Sequence, residues 1–203
     1  MERYHLSAEG WEGFTLERLS PAGLDAASEL CDRCVGENLY PREFLATLPD
    51  RPEHLFYLLK TPEETAIGYI YFFLSGLAEM AALSKLPETR LSVISQKQNP
   101  VLGNIQSIAV SEDFRRRGLS RRLIAFSLER LEQMGADAAF GVCWKIHGRT
   151  PIEPTLTSLG FRYLSDSHLV WYDNPRLICP YCEGRCKCDA AVYYRPFGKE
   201  TVR

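Results

Sequence analysis

Apolar residues along the chain follow two repeating patterns, which together predict short strands and helices. Alternating or clustered apolar residues predict seven strands, at 14–19, 54–60, 65–77, 104–110, 137–145, 161–171 and 191–197. Apolar residues three or four positions apart predict helices at 20–36, 42–48, 120–135 and 152–159. The resulting order is β-α-α-β-β-β-α-β-α-β-β, which indicates a chain of mixed α and β structure.

Residues 104–122 are the most informative stretch, because a predicted strand leads through a tight turn into a helix. Alternation along the strand predicts two apolar faces, with Ile108 and Val110 on one of them. Ile105 and Ala109 fall on the other face. The pattern therefore predicts a strand that is buried on both sides.

The turn after this strand carries a concentrated positive charge. Residues 111–122 hold five arginines against two acidic residues, a local charge of +3 (5 − 2). Gly118 allows the backbone to turn closely, and the helix that follows, which ends at Gly135, directs unpaired N–H groups outward. Since the helix dipole adds partial positive charge, the turn suits a pyrophosphate.

The spacing Arg115-x-x-Gly118-x-Ser120 resembles the R/Q-x-x-G-x-G/A signature of the GCN5-related N-acetyltransferase (GNAT) superfamily. In that family the signature binds the pyrophosphate of acetyl-CoA. Residues 159–161, Leu-Gly-Phe, resemble a second family motif, and the element order matches over residues 12–197. The resemblance implies an α/β (α+β) fold in a single domain spanning 1–203. Its mixed, mostly antiparallel central sheet would have about seven strands, with helices on both faces.

The resemblance also implies where acetyl-CoA, the cosubstrate, would bind. The backbone of the signature strand would hold the pantetheine arm, the amides of residues 116–121 the pyrophosphate, and arginine side chains the 3′-phosphate. The predicted cofactor residues are Ile108, Ala109, Val110, Arg115, Arg116, Arg117, Gly118, Leu119, Ser120 and Arg121. The implied reaction is direct attack on the thioester by an amine of a small molecule or peptide, with a backbone N–H polarising the carbonyl.

The acid and the base of that reaction do not carry over from the family. Many members use a tyrosine a few residues before the Gly-Phe pair, and the corresponding position here is Leu156. Nearby catalytic candidates are His147, Cys143 and Glu153. The missing tyrosine also favours an alternative, a non-catalytic acyl-CoA-binding or regulatory protein of the same fold, whose cysteine-rich loop binds metal and a partner.

Four cysteines within ten residues form a second candidate site, with the spacing C-x2-C-x3-C-x-C. They are Cys179, Cys182, Cys186 and Cys188, in a loop at 174–189 between the last two strands. The Cys-Pro-Tyr-Cys turn resembles the knuckle of zinc-ribbon and rubredoxin-like sites, and four thiolates suit a closed, structural Zn²⁺ site. Iron or an iron–sulfur cluster, a redox dithiol pair and reduced thiols without metal remain as alternatives.

Three further features bear on the site and the assembly. Cys31 and Cys34, one helical turn apart, could supply metal ligands instead, although their shared helix face favours the core. In the family, the edge that carries the cysteine-rich loop often borders the acceptor site or a dimer interface, which leaves a homodimer open. Residues 78–100 form a long insertion, which either covers the substrate site or is a surface excursion.

Composition narrows the classes of function. The 203 residues carry a net charge of −2, with 45% hydrophobic and 25% charged residues, as expected of one soluble globular domain. Because the positive charge is local, we expect no nucleic-acid partner. The longest apolar run, at 67–74, is too short to cross a bilayer, so we expect no membrane partner. With no recognisable signal peptide, a cytoplasmic location is the default.

Overall fold

The computed structural model describes residues 2–6, 11 and 13–198. Its strands are β1 (Arg3–His5), β2 (Thr15–Arg18), β3 (His54–Lys60), β4 (Ala66–Ser75), β5 (Leu102–Val110), β6 (Ala138–Trp144), β7 (Arg162–Ser167), β8 (Ile178–Cys179), β9 (Gly184–Arg185) and β10 (Ala190–Pro196). Eight of them form one sheet in the order β1-β2-β3-β4-β5-β6-β10-β7, and β8 pairs with β9 separately. Neighbours in the large sheet are antiparallel except β5 and β6, which are parallel.

Helices cover both faces of this sheet. They are α1 (Leu24–Cys34), α2 (Arg42–Thr47), α3 (Leu77–Ser84), α4 (Glu88–Leu91), α5 (Leu119–Gln133) and α6 (Glu153–Ser158). The apolar stripes of α5 and α6 are buried in one core, and those of α1 to α4 in a second core on the opposite face. The predicted mixed, mostly antiparallel sheet with helices on both faces is therefore confirmed. Within the described ranges, no helix is both long and apolar enough to cross a bilayer.

Several element boundaries differ from the sequence prediction. The described part of the large sheet has eight strands rather than about seven, because Arg3–His5 pairs with β2 at the sheet edge. That strand has only three partly exposed residues, too few to show a period. The insertion at 78–100 contains α3 and α4, which anchor it through the buried side chains of Met80 and Leu91. The strand predicted at 161–171 ends at Ser167, where a turn-rich segment begins.

A bulge in β5 changes which residues share a face. The register with β4 shifts between Ser107 and Ile105, which leaves Gln106 as one extra residue. Ile105 and Ile108 consequently both pack in the core beneath α5, whereas Ala109 lies in the opposite core. The prediction that Ile105 shares a face with Ala109 was wrong, because one inserted residue reverses the alternation along the strand.

The two parallel strands at the centre of the sheet separate along their length. Leu102–Asn104 of β5 pair with Ala138–Phe140 of β6, and the pairing ends there. Both strands continue beyond this point, β5 to Val110 and β6 to Trp144. Their separation leaves the second half of β5 with a free edge that faces a cleft in the middle of the sheet.

Candidate functional site

The cleft between β5 and β6 holds two adjoining cavities. The inner one, about 200 Å³, lies beside the bulge and is lined mainly by apolar side chains from both strands and both faces of the sheet. The outer one, about 710 Å³, lies at the N-terminus of α5. Ile108, Pro151 and Ile152 line both cavities, so the two cavities adjoin, and together they are called the channel. The channel extends from the arginine-rich turn to the bulge.

The arginine-rich turn forms the floor of the outer cavity. Gly118 caps α5 with a φ of 74°, a left-handed conformation that glycine adopts without strain. No described side chain caps the first turn of α5, so its N–H groups are open to a ligand. A Cβ atom at Gly118 would meet no heavy atom within 4 Å. The turn therefore offers both room and backbone donors for an anion.

Nine of the ten predicted cofactor residues line the outer cavity: Ile108, Ala109, Val110, Arg115, Arg116, Gly118, Leu119, Ser120 and Arg121. The structure does not bring Arg117 to it. The Arg117 guanidinium lies 5.0 Å from the ring centroid of Phe114 and donates to the Asp113 carbonyl at 3.1 Å. Arg115 instead ties the turn to the end of β5, because its Nε donates to the Val110 carbonyl at 3.0 Å.

Of the three catalytic candidates, only Cys143 lines the channel. Burial raises the pKa of its thiol to about 12, so the thiol stays protonated at neutral pH. His147 is exposed in a turn with a φ of 49°, and Glu153 is exposed in the first turn of α6. Neither His147 nor Glu153 lines either cavity. Leu156 lines the inner cavity and is 4% exposed, so the predicted absence of the family tyrosine corresponds to an apolar wall.

A buried hydroxyl cluster beside the bulge was missed by the sequence analysis. Tyr40 is buried next to Gln106 and Ser107, and the Tyr69 hydroxyl lies 2.8 Å from Ser107 Oγ. Burial raises the pKa of Tyr40, so its phenol stays protonated. The connection between α1 and α2 carries Tyr40 back over the sheet, where it lines the inner cavity. The only sequence signal for it is an aromatic residue immediately before Pro41.

No aspartate, glutamate or histidine is among the described residues that line the two cavities. The insertion approaches the channel at its inner end. Ala82 and Leu83 line a smaller cavity of about 180 Å³, together with Gln106 and Val142. Part of the insertion thus lies next to the bulge rather than away from it.

The four clustered cysteines come together as the spacing predicted. Their Sγ atoms all lie within 4.8 Å of one another, and Cys188 Sγ is 3.8 Å from Cys179 Sγ and 3.6 Å from Cys182 Sγ. Four sulfurs at the Zn–S distance of about 2.3 Å in a tetrahedron are about 3.8 Å apart, whereas a disulfide requires about 2.05 Å. The spacing therefore fits a four-thiolate metal site.

Local backbone structure supports the same arrangement. The hairpin β8–β9 directs the first two cysteines toward the second two, and the Lys187 N–H donates to Cys182 Sγ at 3.3 Å. That hydrogen bond lowers the pKa of the Cys182 thiol and favours the thiolate that a metal requires. Cys31, by contrast, is buried in the core, and burial raises its pKa to about 12. Cys34 lines the outer cavity and is not one of the four clustered thiols.

The sequence comparison decides the family of this chain. Residues 24–143, more than half of the chain, match the model of the acetyltransferase (GNAT) family. The chain belongs to the GNAT family. The match ends within β6, so the cysteine-rich loop lies outside the matched residues. No curated protein sequence matches this GNAT-family chain.

Solved structures of acetyltransferases share the fold. Arabidopsis thaliana NAA60 in complex with a bisubstrate analogue aligns with a TM-score of 0.68 and 14% identity, over 90% of this chain and 97% of that one. The ribosomal-protein-S18-alanine N-acetyltransferase from Escherichia coli aligns with a TM-score of 0.61 and 16% identity, over 94% and 99%. Mosquito arylalkylamine N-acetyltransferase like 5b aligns with a TM-score of 0.63 and 12% identity, over 91% and 100%. At these identities the likeness shows the GNAT fold alone.

Proposed function

We propose that this protein is an acetyl-CoA-dependent N-acetyltransferase that acts on an amine of a small molecule or peptide. The observation that carries the proposal is the channel, two adjoining cavities that extend from the N-terminus of α5 to the free edge of β5. Membership of the GNAT family agrees with it. In this proposal the nine cavity-lining cofactor residues hold the cosubstrate, and the thioester lies beside the bulge at Gln106.

Each part of the channel suits one part of acetyl-CoA. The N–H groups that open α5 hold the pyrophosphate, and the arginines of the turn balance its charge. The free edge at Ile108–Val110 pairs with the amides of the pantetheine arm. A backbone N–H next to the bulge then donates to the thioester oxygen as the amine attacks, and the tetrahedral intermediate collapses with release of the CoA thiolate.

Proton transfer takes an unusual form in this proposal. The described lining contains no carboxylate and no imidazole, and the Tyr40 phenol and the Cys143 thiol both stay protonated. An ammonium must lose its proton before it attacks, so water removes that proton. The CoA thiol has a pKa near that of cysteine, about 8.5, so its thiolate can leave without an enzymatic acid.

Thiol release across a panel of amines tests the proposal. The panel includes an arylalkylamine and a peptide with a free N-terminal alanine, since structural neighbours are named for such acceptors. We expect saturable, amine-dependent release of CoA thiol, together with stabilisation of the protein by CoA against thermal unfolding. If saturating CoA leaves the unfolding temperature unchanged, the cosubstrate assignment is wrong.

A second function is favoured by one observation, that no carboxylate or imidazole is found among the described residues that line the channel. The same fold with Leu156 as an apolar wall also fits a protein that binds acyl-CoA without transferring the acyl group. Binding of acetyl-CoA with no thiol release for any amine, at any pH up to 9.5, would support this binder and contradict the enzyme.

We also infer that the cysteine-rich loop binds zinc. The four thiol groups match the ligand number and the sulfur spacing of a closed tetrahedral site, and this spacing supports zinc or iron over a disulfide. Four protein ligands leave no position for a substrate, so the ion would be structural rather than catalytic. Metal analysis of protein purified without chelator tests this inference.

A further inference from the structure

We propose that the metal in the cysteine-rich loop holds an aromatic wall of the channel in place, so that metal occupancy controls acetyl-CoA binding. The aromatic wall comprises Trp144, Trp171 and Tyr181. The proposal rests on the proposed function, because it assigns the wall to the acetyl-CoA channel. It gives the loop, which lies outside the family match, a role in the reaction.

Each residue of the aromatic wall lines the channel. Trp144 and Trp171 line the inner cavity, and Tyr181, which lies between two of the cysteines in sequence, lines the outer cavity. The rings contact one another, since the Trp144 centroid is 5.0 Å from that of Trp171 and 6.2 Å from that of Tyr181. The wall therefore follows the channel from the region of the arginine-rich turn toward the bulge.

The aromatic wall also packs directly on the cysteine cluster. Cys179 and Cys186 are fully buried with Leu177 in a small core of their own, against which Trp144 and Trp171 pack. Movement of the two cysteines would therefore displace both indole rings. Arg185 connects this loop to the residue that follows Trp171. Its guanidinium stacks 3.9 Å from the Tyr172 ring centroid, and its Nε donates to the Tyr172 carbonyl at 2.7 Å.

The cysteine-rich loop packs on the segment that leads to Tyr40. The Ile178 N–H donates to the Glu37 carbonyl at 3.0 Å. At Gly36, an added Cβ would lie 2.8 Å from Leu177 Cδ1 and 3.2 Å from the Ile178 carbonyl oxygen. This close approach leaves no space for the loop to shift as a rigid unit without disturbing the α1–α2 connection.

The small core of the loop explains why a metal is needed. Two of its three fully buried side chains are cysteines, and its hairpin has two residues in each strand. So few apolar contacts do not order a loop of this length in water, whereas four bonds to one ion do. Without metal, the loop and the aromatic wall that depends on it would lose their fixed positions.

The test measures zinc content, tryptophan emission and acetyl-CoA affinity in the full chain. We expect about one zinc per chain in wild type, little in a Cys182→Ser/Cys186→Ser variant, and a full complement in Lys187→Gln. Lys187→Gln is the matched control, since it keeps the backbone N–H to Cys182 and alters only an exposed side chain. Chelation should shift the tryptophan emission to longer wavelength and weaken acetyl-CoA binding about tenfold, and equimolar zinc should reverse both changes.

A second variant distinguishes a change in the aromatic wall from general unfolding of the protein. Tyr181→Ala keeps all four thiols, so it should retain zinc and yet weaken acetyl-CoA binding at least threefold. Wild-type protein with no zinc would overturn the proposal, and so would unchanged emission and affinity after chelation. If zinc-loaded protein fails to bind acetyl-CoA at all, the proposed function fails instead, while the metal and emission results still decide whether zinc orders the aromatic wall.

Discussion

Replacement of Gly118 by alanine should weaken CoA binding far more than it destabilises the fold. The residue caps α5 with a φ of 74°, where a Cβ costs about 1–2 kcal/mol. The added methyl group would enter open space in the outer cavity, where no protein atom lies within 4 Å. We place the pyrophosphate in that space, so the methyl group would push it away from the N–H groups of α5.

The expected loss follows from the hydrogen bonds that would break. A hydrogen bond to a charged group contributes about 1.5–3 kcal/mol, so losing one raises the Kd for CoA roughly 10- to 150-fold. The strain alone should lower the unfolding temperature by about 2–8 °C for a domain of this size. Calorimetric titration with CoA and thermal unfolding without ligand measure the two effects separately.

Gly135→Ala is the matched control for this experiment. Gly135 follows the other end of α5, has a φ of 87°, and also has no heavy atom within 4 Å of an added Cβ. The two glycines therefore share the same strain, but Gly135 lies beyond the far end of α5, whose 15 residues span about 22 Å. We expect a similar loss of stability with unchanged CoA affinity. Equal CoA affinity in the two variants would refute the assignment of the pyrophosphate to this turn.

Three further predictions concern the reaction, the core and pH. The described residues that line the channel include no carboxylate or imidazole base. In the proposed reaction kcat/KM should therefore rise about tenfold per pH unit up to the pKa of the acceptor amine, and a plateau well below that pKa would contradict the role of water. Gly103→Ala should destabilise the fold by about 1–3 kcal/mol in denaturant unfolding, because its Cβ would lie 2.7 Å from the buried Leu131 side chain; Gly76→Ala, in open space, should not. Burial lowers the pKa of His54, so the unfolded state binds its proton more readily and stability should fall as pH drops below about 6.5. His54→Gln should flatten that part of the stability profile, and an unchanged profile would show that another group causes it.

The sequence alone was sufficient wherever the determining interactions are local. The strand, turn and helix from β5 to α5 follow from side-chain periodicity and a glycine with a required positive φ, and both act over a few residues. The cysteine cluster belongs to the same class, since the spacing of its four residues within a short loop brings their sulfurs together. The missing tyrosine at Leu156 could likewise be identified from a motif and its position.

Only the tertiary structure decided which groups line the inner cavity of the channel. The extra residue at Gln106 reverses the faces of β5, and it depends on the register with β4 rather than on any local pattern. His147 and Glu153 are close to β6 in sequence but lie outside the channel, whereas Tyr40 comes from a distant connection and lines it. Trp144, in β6, packs on the cysteine-rich loop although it lies well before that loop in the sequence. Side-chain periodicity reports the environment along one element, and these features arise where separate elements meet, so their positions follow from packing.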